Sequence, residues 1–177
     1  MQKRAGLSEK QKEKFNRKLT PLFLKHVTES WKTIHIYLPI HSKNEIDTWP
    51  IIRQLWKLDV DVVVPIMHAT EINLTSCLLP RDTQLSENKW NVPEPVNCTA
   101  VENDIIDVVV LPLLAFDING YRVGYGKGYY DEFLGRLSKD VLKIGLSFFP
   151  PIDKISDVYP WDIPLDMCIT PETALQF

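Results

Sequence analysis

The sequence has no long apolar run, no basic excess and few cysteines, and each lack removes a class of protein. No stretch approaches the roughly 20 apolar residues of a membrane-spanning helix. Residues 1–14 are polar, without the apolar segment of a secretory signal. A cytoplasmic protein with no membrane partner is therefore expected. The formal net charge is −3, whereas a general nucleic-acid binder is normally basic, so no nucleic-acid partner is expected. A few lysines and arginines still suffice for a local phosphate site. Cys77, Cys98 and Cys168 are odd in number, widely spaced and form no CxxC pair. They suggest neither a disulfide framework nor a zinc site, and are read as buried, inert thiols. His26, His35, His41 and His68 lack metal-ligand spacing and receive no role, although His35 sits in an alternating run and can face either side of a sheet. Internal repeats and low-complexity tracts are absent.

What is present fits one domain over residues 1–177, long enough for a real core and short for two. Ser8 and Gln11 have capping-box spacing ahead of a Lys/Glu/Gln-rich segment, which predicts a helix interrupted at Pro21 and continuing to about Ser30. Thr33–Leu38 alternates like a strand. Thr48 is a suitable N-cap for a helix to about Leu58, with Pro50 tolerated in its first turn. Asp61–Pro65 and Ile105–Leu111 are apolar, β-branched runs of the buried parallel type. Residues 71–79 alternate weakly, and 80–97 read as an ordered loop with Pro80, Pro93 and Pro95. Asn119-Gly120 predicts a tight hairpin within 116–122. A glycine-rich loop follows, then a helix over about 129–137 and strands over 142–147 and 167–170. Strands alternating with helices imply an α/β fold with a mostly parallel sheet.

The segment Arg122 to Asp131 carries the chemistry. Gly124, Gly126 and Gly128 alternate just before a helix, which lets the backbone approach a ligand and adopt positive φ. The free N–H groups of the helix start add to this cradle for phosphate. Lys127 and Arg122 supply positive charge, and Asp131 can hold magnesium directly or through water. The spacing is neither GxxxxGK[ST] nor GxGxxG. Read from composition alone, a glycine-rich turn with a helix-capping Asp is an equal alternative.

The run from Leu113 to Leu134 resembles the signature of the 5-formyltetrahydrofolate cyclo-ligase family, approximately P-x-x-x-F-D-x-x-G-x-R-[LV]-G-x-G-[GK]-G-Y-Y-D. Three further segments agree in order: Asn44–Asp47, Lys89–Pro95 and Asp162–Asp166. The resemblance covers nearly the whole chain. It implies a single three-layer α/β/α domain; a monomer is expected. The implied enzyme consumes ATP and 5-formyltetrahydrofolate and releases 5,10-methenyltetrahydrofolate, ADP and phosphate. In the implied mechanism the formyl oxygen attacks the γ-phosphate, N10 attacks the resulting imidoyl phosphate, and phosphate departs as the ring closes.

The resemblance also implies roles by position. Arg122, Val123, Gly124, Tyr125, Gly126, Lys127, Gly128, Tyr129 and Tyr130 would contact ATP, with Lys127 and Arg122 acting on the phosphates. Lys3 and Arg4 match the end of a basic segment that reaches ATP. Asp131 and Asp162 would bind Mg2+. Glu45 would bind and orient the folate, and Leu38, Trp90, Tyr129 and Tyr130 would shape its pocket. Read from the residues alone, Asp162 and Glu45 are solvated loop acids and Trp90 is equally a core anchor for its loop. The basic segment before Lys3 that relatives carry is not in the sequence, so weak ATP binding is expected. Ile66 stands where many relatives have a basic residue. A folate- or nucleotide-binding protein without turnover, and a sugar-phosphate isomerase on a similar sheet, are the competing readings.

Overall fold

A computed structural model of the chain describes residues 2–68, 70–138 and 140–177. In chain order its helices are α1 (Gln2–Ala5), α2 (Glu9–Leu24), α3 (Trp49–Lys57) and α4 (Tyr129–Gly135). Its strands are β1 (Thr33–Ile36), β2 (Asp61–Met67), β3 (Leu74–Leu78), β4 (Leu85–Glu87), β5 (Pro93–Pro95), β6 (Val108–Pro112), β7 (Ala115–Phe116), β8 (Arg122–Val123), β9 (Leu142–Leu146), β10 (Met167–Ile169) and β11 (Ala174–Gln176). No helix among the described residues is long and apolar enough to cross a membrane.

The main sheet has seven strands in the order β11-β10-β9-β6-β1-β2-β3. The five inner strands are mutually parallel, and only the edge strands β3 and β11 run antiparallel. Alternation along each inner strand divides the core. Ile34, Ile36, Val62, Val64, Val108 and Val110 pack against Leu19 and Phe23 of α2 and Ile51, Ile52 and Leu55 of α3. Val63, Val109 and Leu111 face the other way, against Phe133 and Leu134 of α4 and against Leu165. A sheet covered on both faces needs apolar residues at successive positions, which is why these strands read as continuous Val/Ile runs. The three-layer α/β fold expected from the sequence is the fold observed.

Several local features differ from expectation. Helix α2 has its capping box, with Gln11 N–H donating to Ser8 Oγ at 3.3 Å and Ser8 N–H donating to Gln11 Oε1 at 2.9 Å. It ends at Leu24 rather than near Ser30, and Pro21 stays inside it. Thr48 does not cap α3 with its side chain. Its hydroxyl donates to Tyr37 O at 2.7 Å, while Asp47 Oδ1 accepts from Trp49 N–H at 3.0 Å. Strand β6 begins at Val108, later than expected, because Asn103–Ile105 form a 3₁₀ turn, after which the Asp107 carboxylate accepts from Lys32 and Thr33 N–H at 2.6 and 2.8 Å. That contact sets where β1 starts beside β6.

The cysteine expectation is corrected. Cys77 of β3 and Cys98 are joined as a disulfide, 21 residues apart in sequence. The segment after Cys98 returns alongside β3, with Leu78 N–H donating to Thr99 O and Val101 N–H to Ser76 O, both at 2.9 Å. This return places the two Cα atoms 5.4 Å apart, within bridging range. Cys168 is free and buried, and burial pushes its thiol pKa well up, so this one is inert as expected.

The Asn119-Gly120 turn closes β7 onto β8 as predicted. Gly120 has φ +82°, and a Cβ there would lie 2.8 Å from Leu165 O and 2.9 Å from the Phe177 ring. Gly120→Ala is expected to cost about 2 kcal/mol of stability, because strain and overlap act together. Chemical denaturation would measure it, and an unchanged midpoint would contradict the turn as described.

Candidate active site

Strand β1 has β2 on one side and β6 on the other, so the strand order reverses there, and ligands in open α/β sheets bind beyond the carboxyl ends of the strands at such a point. A cavity of about 600 Å³ lies there. Tyr37 and Leu38 after β1, Pro65 and Met67 of β2, and Pro112 at the end of β6 form its floor. Ile40, Leu74, Val92 and Pro93 extend the apolar wall, and the loop from Arg122 to Asp131 forms the polar side. Ile155, Asp157, Tyr159 and Asp162 close the far rim.

Every predicted site residue from Leu38 to Asp162 lines this one cavity. Lys3 and Arg4 do not line it. Lys3 is exposed. Arg4 approaches from behind the loop, donating to Leu113 O at 3.3 Å and to Tyr125 Oη at 2.5 Å. Residues that the sequence did not single out include Tyr37, Lys43, Met67, Asp157 and Tyr159. Tyr37 was within reach of sequence reasoning, since it directly follows a buried parallel strand.

Glu45 is placed by a short 3₁₀ turn, His41–Lys43, that ends on Asn44 in the left-handed conformation at φ 50°. The turn is anchored by Lys12, whose ammonium donates to Asn44 Oδ1 at 2.7 Å. It folds Glu45 back so that Oε2 accepts from Ile40 N–H at 2.7 Å and Oε1 from Tyr125 Oη at 2.5 Å. Glu45 is therefore buried, at 8% exposure, and not a solvated loop acid.

In the glycine loop, Gly126 and Gly128 have φ +75° and +71°, and nothing lies within 4 Å of where their Cβ atoms would be. The loop backbone thus faces open space. Lys127 is exposed and 4.9 Å from the Trp90 ring centre, with Lys89 at 4.6 Å. Trp90 itself is held by Asn88, whose Oδ1 accepts from Trp90 and Val92 N–H at 2.9 and 3.2 Å. It is a cavity wall and an attraction for cations. Tyr129 Oη donates to His68 O at 2.8 Å, which ties the loop to the end of β2.

The two carboxylates expected to hold magnesium are partly committed. Asp131 Oδ1 accepts from Arg122 Nη2 at 2.7 Å and from Ile163 N–H at 3.3 Å, and Arg122 also donates to Ile163 O. Asp162 Oδ2 accepts from Tyr159 N–H at 2.8 Å. Among the described residues no group of three His, Cys, Asp or Glu side chains could hold a metal. One oxygen on each Asp remains, which fits an ion that takes one or two carboxylates and completes its shell with water and substrate phosphates.

Tyr130 Oη is buried without a hydrogen-bond partner, and burial, followed by the Glu45 charge, pushes its pKa up. Beneath it His35 is fully buried, its ring tilted against Phe133 at 4.7 Å, with both ring nitrogens unpartnered. Burial lowers its pKa from 6.5 to about 3. Between those values only the unfolded chain takes up the proton, so stability falls as pH drops through that window. The loss by pH 5 amounts to about 2 kcal/mol relative to pH 8. His35→Leu should flatten this part of the melting temperature's pH dependence. A variant as pH-sensitive as the parent would place the titration elsewhere.

A doubly covered α/β sheet, a cavity at its switch point and a basic glycine-rich loop beside a buried carboxylate together define an α/β protein with a ligand site suited to a phosphate-bearing small molecule. The sequence model of the 5-formyltetrahydrofolate cyclo-ligase family matches residues 1–171, and the chain belongs to that family. It is 30% identical over 177 residues to the 5-formyltetrahydrofolate cyclo-ligase of Mycoplasma pneumoniae, covering 97% of this chain and 94% of that protein. The Escherichia coli enzyme of the same name is 29% identical over 149 residues, covering 82% and 81%. Among solved structures, the Aquifex aeolicus 5,10-methenyltetrahydrofolate synthetase superposes with a TM-score of 0.82 at 29% identity, over 99% of this chain and 87% of that one. A Mycoplasma pneumoniae 5,10-methenyltetrahydrofolate synthetase gives 0.75 at 28% identity, over 95% and 92%.

Proposed function

We propose that this chain converts 5-formyltetrahydrofolate to 5,10-methenyltetrahydrofolate with consumption of ATP and release of ADP and phosphate. The observation that carries the reading is that one cavity is lined by an apolar floor, a buried carboxylate, Glu45, and a basic glycine loop. A pterin needs the apolar walls and the hydrogen-bond acceptor, and a triphosphate needs the basic loop.

The N5-formyl group is an amide and a poor electrophile, so its oxygen must become a leaving group. Glu45 accepts hydrogen bonds from the pterin and fixes its orientation, with Leu38, Trp90 and Met67 as walls. The loop amides of residues 124–128 and the Lys127 ammonium hold the phosphates, while Arg122 stays beneath as a fixed positive charge. In this arrangement the formyl oxygen attacks the γ-phosphorus and ADP leaves. N10 then attacks the formyl carbon, loses its proton, and phosphate departs with the former formyl oxygen. Catalysis is mainly positioning and charge neutralisation. Asp131 and Asp162 would hold Mg2+ through their remaining oxygens, and the ion would supply charge neutralisation on the phosphates. We take the chain to act as a single domain and a cytoplasmic monomer.

The test is direct. Purified protein is mixed with 5-formyltetrahydrofolate and Mg-ATP, and the near-ultraviolet absorbance of the methenyl product is followed, with ATP omitted in a control. ATP-dependent growth of that band supports the proposal. Saturable folate binding without turnover or ATP consumption would replace it with a binding function.

A further inference from the structure

We infer that Tyr125 is a positioning residue that latches the glycine loop onto Glu45 and thereby makes the two substrates bind cooperatively. This rests on the proposed assignment of Glu45 to the folate and of the loop to ATP.

The latch is a continuous chain of hydrogen bonds. Arg4 Nη2 donates to Tyr125 Oη at 2.5 Å, and Tyr125 Oη donates to Glu45 Oε1 at 2.5 Å. Glu45 Oε2 already accepts from Ile40 N–H at 2.7 Å. Each oxygen of the carboxylate thus already accepts one hydrogen bond from the protein itself. The Lys43 ammonium, 4.2 Å from the Tyr125 ring centre, steadies the ring from its face. Burial, followed by the Glu45 charge, raises the phenol's pKa, so it remains a donor throughout the neutral range.

A pterin donor can reach Oε1 only by sharing it with the phenol or displacing it. Tyr125 sits between Gly124 and Gly126, within the stretch whose amides face the phosphates, and the loop turns at Gly126 with φ +75°, so a shift of this backbone carries the phenol with it. Occupation of the loop by a triphosphate draws the phenol away from Glu45 in the same motion. A ligand that displaces the phenol breaks the latch, and the second finds it broken. A cost shared in this way is positive coupling, and linkage makes it equal in both directions.

Dissociation constants for 5-formyltetrahydrofolate would be measured by calorimetry with and without a non-hydrolysable ATP analogue and Mg2+, for the parent chain and for Tyr125→Phe. The parent should bind folate about tenfold more tightly when the analogue is present, in the ordinary range of coupling between sites. Tyr125→Phe should bind folate alone more tightly than the parent, and the analogue should change its affinity less than about twofold. A residue of merely structural importance would weaken both affinities and leave their ratio alone. Equal ratios in parent and variant, or no coupling in the parent, would overturn the latch while leaving the proposed reaction standing. A parent chain that binds neither ligand would overturn the reaction and the latch together.

Discussion

Asp131→Asn is expected to lower the unfolding midpoint of the ligand-free chain by about 10 °C. The Arg122 side chain is 6% exposed and its charge is balanced by Asp131, at 2.7 Å and 29% exposed. Asparagine leaves the guanidinium buried with only the Ile163 carbonyl and a neutral amide as partners. Removing one member of a buried pair costs roughly 3–5 kcal/mol, and partial exposure of Asp131 argues for the lower end. In a chain of this size each kcal/mol moves the midpoint by about 2–4 °C. Calorimetry in the presence of a chelator checks it. If Asp131 served only a metal, the metal-free variant would melt with the parent. The predicted drop would show that this carboxylate first straps residues 159–163 to the glycine loop, and that any hold on magnesium is its second task.

Glu45→Gln is expected to lower kcat/KM for 5-formyltetrahydrofolate about 100-fold at saturating ATP. Glutamine keeps the length of the side chain and can still accept from Ile40 N–H through its carbonyl oxygen. Its other end becomes an NH₂ donor where the carboxylate offered an acceptor. A pterin donor then meets another donor, and a charge-assisted hydrogen bond is lost, together worth about 3 kcal/mol. Steady-state kinetics measure the ratio. A variant with the parent's kcat/KM would remove Glu45 from the substrate.

The sheet was legible where chemistry and period agreed. Asp61–Pro65 and the Val-rich run before Pro112 could bury both faces only between helices, and the parallel pairing follows from that. The hairpin was legible because only Gly120 fits its turn. The three-residue strands β4, β5 and β11 were not, since a run that short carries no period, and the 80–97 segment read only as a loop. Pairings between distant residues were equally hidden. Nothing near Cys77 signals that residues 98–101 return beside it. Nothing in the glycine loop signals that Tyr125 meets Glu45, 80 positions earlier. The site residues themselves were carried by the family resemblance, because an acid such as Glu45 or Asp162 has no local mark that separates it from a surface carboxylate.

The position of β1 has a consequence for how the chain emerges during synthesis. Val62 pairs with Ile34 on one edge after fewer than 30 residues, whereas Val108 arrives on the other edge 74 residues later. At about 5–20 residues per second, the central strand waits roughly 4–15 s with one side open. Its apolar rows and unpaired amides are available to other chains for that time. The cavity has no floor until Pro112 is made and no polar wall until the glycine loop follows. Substrates therefore cannot assist the early part of folding.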